Sequence, residues 1–110
     1  MSVSTATVRG MSNHLVTIAK GPAWDVSVPR RKQAGWDEHA EFMDGLVARG
    51  IVLLGGPVGP DVDTGRIVLA VEAADEAAVR RHLAGDPWLG TILTIERIEP
   101  WALWLRASSA

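Results

Sequence analysis

"IVLLGGPVGPDVDTGRIVLAVEA", residues 51–73, decides the fold of this chain. It opens on a short, wholly apolar run, "IVLLG" (51–55), and closes on a second, "RIVLAVEA" (66–73). Between them, "GPVGPDVDTG" (56–65) is rich in glycine and proline, the residues that break regular structure and form turns. Two strand-like runs around such a connection predict an antiparallel hairpin with a long loop.

Helices flank that hairpin on both sides. In "GWDEHAEFMDGLVARG" (35–50), Trp36, Phe42, Met43, Leu46 and Val47 recur at helical spacing on one side. The helix is expected to start after Gly35, with Asp37 as its cap, and to stop at Gly50, a favourable C′ residue. After the hairpin, Asp75 is placed to cap "EAAVRRHLAG", whose apolar face is Ala78, Val79 and Leu83 and whose end is Gly85. Further out, "HLVTIAK" (14–20) alternates as a strand does. "TILTIERIE" (91–99) forms the last strand after a "DPWLG" bend (86–90).

The order is therefore β-α-β-β-α-β, an α+β ferredoxin-like protomer: a four-stranded antiparallel sheet with two helices on one face. The two strands written around Val16 and Leu69 are apolar on both sides, whereas a sheet with one wet face alternates. This predicts that the uncovered face packs on a second copy, as a two-fold homodimer.

With 110 residues, 47% of them hydrophobic, the chain reads as one domain over residues 14–105. Residues 1–13 read as a frayed leader, with Met11 as an alternative start, and residues 106–110 as a flexible tail. A net charge of −2 argues against nucleic acid as a partner. No apolar run approaches the roughly 18–20 residues that span a membrane. "MSVSTATVRG" lacks the basic and apolar regions of a secretory signal. The chain has no cysteine, which fits a cytoplasmic location and excludes thiol chemistry.

Few residues are left to carry chemistry. There is no tyrosine, and serines occur only at 2, 4, 12, 27, 108 and 109, five of them in terminal segments unsuited to a positioned nucleophile. His14, His39 and His82 lack the paired spacing of a metal site, so no metal and no cofactor are expected. His14 and His82 read as solvated. "DVDTG" (61–65) starts like a calcium loop but lacks its later ligands and reads as a turn. "GGPVGP" (55–60) is no dinucleotide fingerprint; its glycines permit a close backbone approach.

His39 is the exception, because it falls on the apolar side of its helix. Such a ring either donates to a backbone carbonyl as a core residue or works as an acid-base group. Asp86, before Pro87, either caps a turn or orients that ring. Trp36 and Trp88 adjoin these two in sequence and could wall an apolar pocket. Arg30 and Arg31, in the basic triplet "RRK", suit an anionic small molecule, since a guanidinium can clamp a carboxylate; a solvated basic loop is the simpler reading.

The quoted segments also resemble one family. "WDEHAEFMDGLVARG", "IVLLGGPVG", "ADEAAVRRHLAGDPW", "ERIEPWALWL" and "KGPAW", with the basic loop, are similar to the YciI-like (YCII-related) family over residues 14–105. The resemblance implies a dimeric α+β barrel of two facing sheets. It also implies a His/Asp site made by His39 of "WDEH" and Asp86 of "DPW", with Gly56 and Pro57 of the glycine turn beside it. The expected function is a cofactor-independent enzyme using this dyad for isomerisation or elimination of a small organic substrate. The alternative is a non-catalytic sensor or accessory protein using the same pocket, since some relatives of this family look associated with sigma-factor regulation.

Overall fold

The computed structural model describes residues 10–107. In chain order the elements are β1 (Ser12–Lys20), a short 3-10 turn (Arg30–Lys32), α1 (Trp36–Ala48), β2 (Val52–Pro57), β3 (Ile67–Ala73), α2 (Glu76–Leu83) and β4 (Leu93–Pro100). β1 begins two residues ahead of its expected start, because Ser12 and Asn13 pair with Ala73 and Glu72. The remainder of the expected leader, residues 1–9, and the last three residues of the expected tail lie outside the described residues.

All strand pairs are antiparallel and the order across the sheet is β2-β3-β1-β4. Val16 lies opposite Leu69 and Ile98, and Ile18 opposite Ile67 and Ile95, so these residues share one face. On that face they meet Leu46 of α1 and Ala78, Val79 and Leu83 of α2 in a single core. Both helices therefore cover the same side of the sheet.

Local chemistry sets the helix ends. α1 leaves through a glycine at φ 75°, Gly50. Its N–H donates to Val47 O at 3.0 Å, and Ile51 N–H donates back to Leu46 O at 3.0 Å. This double closure satisfies carbonyls that a helix end otherwise strands. At the other end the helix begins directly after Gly35, and Asp37 lies inside the first turn instead of capping it. α2 starts as expected, with the Asp75 carboxylate accepting from Ala78 N–H at 2.8 Å.

The expected barrel is corrected here. β2 and β4 are opposite edges separated by two strands, and the sheet is open. β1 and β3 keep apolar residues on both sides along their middle, at Leu15, Val68 and Ala70 outward, but β4 does not. Its outward positions opposite Ala19, Thr17 and Leu15 are Thr94, Arg97 and Glu99, and β3 adds Glu72 opposite Asn13. The open face is thus an apolar strip with a charged border. Extra residues at Leu53 in β2 and Glu96 in β4 break the register there, as bulges do near sheet edges. Among the described residues, no helix is long and apolar enough to cross a membrane.

Candidate active site

The 21–35 loop fixes one wall of the site. Gln33, 3% exposed, holds it from inside. Its amide donates to the carbonyls of Asp25 (2.8 Å) and Val28 (3.0 Å) and accepts from Asp25 N–H (2.9 Å). One buried side chain thereby satisfies three backbone groups of an irregular segment, which would otherwise be costly to bury. Trp24 enters the core from the same loop. Sequence reading passed over Gln33, since a lone glutamine in a polar loop carries no periodic signal.

His39 projects from the inner face of α1, and Asp86 projects from the bend after α2. The two meet: Nδ1 lies 2.9 Å from Asp86 Oδ1 and 3.0 Å from Oδ2. The residues are 7% and 8% exposed. Asp86 is itself anchored, because Oδ1 also accepts from Trp88 N–H at 2.9 Å across Pro87, and Asp86 N–H donates to Leu83 O at 3.0 Å. The turn-capping and ring-orienting roles thus coexist in one carboxylate. An ionised carboxylate only accepts, so Nδ1 would carry the hydrogen, and in the neutral ring Nε2 is then the acceptor nitrogen.

Trp88 holds the ring flat. Its indole stacks on His39 with centroids 4.1 Å apart and planes 9° from parallel. Its Nε1–H donates to Ala34 O at 2.7 Å. A Cβ at Gly35 would lie 3.2 Å from that Nε1, and Gly35 has φ 81°, so only glycine suits this approach. Trp36 completes the aromatic cluster at 5.7 Å from both the imidazole and Trp88.

Nε2 makes no hydrogen bond among the described residues, and it is not among the sealed polar atoms. His39 lines a cleft of about 340 Å³ between α1 and the edge strand β2, in the lower range for small-ligand sites. Six of the eight expected site residues line it: Arg30, Arg31, Trp36, His39, Gly56 and Pro57. Asp86 and Trp88 stand behind the imidazole. Met43, Val47, Gly55, Ile67 and Leu69 add lining that sequence reading did not single out. Met43 and Val47 follow His39 at four and eight residues, so helical period was the signal for them. Gly55, not Gly56, makes the tight approach, since a Cβ there would fall 2.5 Å from Leu69 Cδ2.

The arginines differ. Arg30 is 7% exposed, its Nη2 donates to Gly65 O (2.7 Å) and Val62 O (3.3 Å), and its guanidinium lies 5.5 Å from the Trp24 ring centre. Burial pushes its pKa down from the usual arginine value, with Asp63 and Asp61 opposing the shift. Arg31 is exposed and lies over Trp36 at 5.5 Å.

The remaining histidines part company with expectation in one case. His14 is buried at 6% exposure on the helix-covered face of β1, and its Nδ1 is sealed without a partner. The strand that begins at Ser12 carries it inward, whereas a frayed leader would have left it in water. His82 is half-buried on α2. Trp101 is half-buried, but Trp104 is 89% exposed and takes no part in the core. Among the described residues, no three His, Cys, Asp or Glu side chains gather as a metal ion would require.

Comparison with known proteins yields no matching family model, no matching curated protein and no matching solved structure. The expected membership of the YciI-like family is therefore corrected. Three of the segments behind it have a local physical cause: an amphipathic helix, a glycine-permitted approach at Gly55, an Asp-Pro turn at residue 86. Such strings arise from local structure without kinship.

Proposed function

We propose that the cleft is the active site of a cofactor-independent enzyme in which His39 moves a proton on a small organic substrate. The observation that carries this reading is the division of labour on one ring. Nδ1 is committed to a buried, doubly anchored carboxylate, while Nε2 has no hydrogen-bond partner among the described residues and its residue lines the cleft. A core histidine needs no such opening. In the resting state Nε2 accepts a proton from a C–H or O–H of the substrate. Asp86 and the Trp88 ring then stabilise the imidazolium, which returns the proton elsewhere on the substrate or to its leaving group. Isomerisation and elimination both follow from that cycle.

The size and walls of the cleft support a small substrate. At about 30 Å³ for each water-sized group, 340 Å³ holds on the order of ten non-hydrogen atoms. Met43, Val47, Ile67 and Leu69 offer apolar contact around the reacting atoms.

The test is proton exchange in deuterium oxide. A panel of small carbon acids, namely ketones, keto acids and lactones, is followed by NMR with the wild-type protein and with His39→Gln. The reading expects deuterium incorporation into at least one compound, lost in the variant. Exchange that persists in His39→Gln defeats it. Saturable binding with no exchange of any compound would favour the non-catalytic ligand-binding alternative.

A further inference from the structure

Arg30 poses a problem that the protein does not solve by itself. Its guanidinium is permanently charged under ordinary conditions, yet the residue is almost entirely buried. Among the described residues, no carboxylate lies within ion-pair distance of it. Two neutral carbonyls take Nη2, the Trp24 ring lies nearby, and Nε is sealed with no partner among the described residues. Asp63 and Asp61 act on the guanidinium only from beyond ion-pair distance, and a buried cation without a direct charged partner is expensive. Nη1 differs from Nε: it has no hydrogen bond but is not sealed. Arg30 lines the same cleft as His39.

Two carboxylates, Asp44 and Asp63, also line the cleft. Both residues are exposed, and Asp63 offers Arg30 its backbone carbonyl, which accepts from Arg30 N–H at 3.1 Å. Neither side chain takes the guanidinium. At the mouth, Arg31 supplies a second cation laid over Trp36, the ring that abuts His39.

We propose that the substrate is a small carboxylate, whose anionic group pairs with the buried Arg30 guanidinium through Nη1 while its apolar portion faces His39. This rests on the proposed active site and adds its substrate class. The loop that presents Arg30 is fixed by Gln33, so the cation is set in place before the ligand arrives, and little ordering cost falls on binding. Arg31 acts at longer range by raising the local concentration of anions, an effect that salt screens.

Benzoate and its neutral isostere benzamide test the charge requirement directly. With ¹⁵N-arginine-labelled protein, benzoate is expected to shift the Arg30 side-chain resonances saturably and to bind at least tenfold more tightly than benzamide. Arg30→Lys should weaken benzoate at least tenfold and leave benzamide unchanged. Arg31→Ala, away from the core, should weaken benzoate by a smaller factor that vanishes at high salt. Equal binding of the two probes overturns the proposal, as does tighter binding of inorganic phosphate. Absence of saturable benzoate, acetate or succinate binding overturns it too. The outcomes remain separable from those for the catalytic reading. Charge preference retained in His39→Gln supports the anion site independently of catalysis. Exchange of neutral carbon acids without charge preference supports the base and removes the anion site.

Discussion

One hydrogen bond determines which way the His39 ring works. With Nδ1–H held by Asp86, the neutral ring offers Nε2 as its acceptor nitrogen. Replacing Asp86 by Asn keeps the shape but offers Nδ1 an N–H donor, which favours the tautomer with hydrogen on Nε2. Asp86→Asn is therefore expected to lower turnover of any exchanging substrate by about 10²–10⁴-fold, similar to His39→Gln, with substrate affinity little changed. Rate and KM measured separately check this; an unchanged rate in Asp86→Asn would detach the carboxylate from the chemistry. Trp88→Phe keeps an aromatic face but leaves Ala34 O without its donor. A stability loss of about 1–3 kcal/mol is expected from chemical denaturation, chiefly because the smaller ring leaves a void in a site where Trp88 is 2% exposed. The His39 position was legible from sequence because a polar ring interrupted an apolar stripe. Its contact with Asp86 was not, because 47 residues separate them and no local pattern reports the distance.

At the level of elements, the loops and caps are held by short-range side-chain contacts. Asp25 accepts from the hydroxyl and the N–H of Ser27, and Asp61 from the hydroxyl and N–H of Thr64 and from Asp63 N–H. These donors hold both carboxylates below their usual pKa, the hydroxyl contact being the largest cause in each. A carboxyl group with a lowered folded pKa stabilises its turn above the ordinary carboxylate range and loses that effect as pH falls through the folded value. The Ser27 and Thr64 amide signals are therefore expected to hold steady through pH 5 and to titrate together with their aspartates only in more acidic solution. Amide shifts that move in the neutral range would contradict this. Asp75→Ala should cost about 1 kcal/mol through loss of the α2 cap, read from the denaturation midpoint. The hairpin, both helices and the order of elements along the chain were readable from periodicity and glycine position. The first turn of α1 was less so, as Asp37 has the right residue type for a cap but the backbone uses Gly35.

For the whole molecule, the sheet's open face is where sequence and structure diverge most. Apolar Leu15, Val68 and Ala70 form its centre, with Leu54, 62% exposed, beside Ala70 on the edge strand. A homodimer through this face remains a proposal, and sedimentation tests it. A two-chain mass that falls to one chain in Leu54→Lys would support it, and a one-chain mass for the wild type would exclude it. Composition, hydrophobic period and turn residues by themselves determined the βαββαβ order and the antiparallel hairpin of β2 and β3. Those properties are written within windows of a dozen residues, where side-chain sequence acts directly on backbone geometry. Only the tertiary structure decided that the sheet stays open, that His14 turns inward, and that Arg30 lies buried beside the cleft. It alone also brought Asp86 to Nδ1 of His39. Each of these depends on which distant segments share a volume, and burial and partnership are properties of that shared volume.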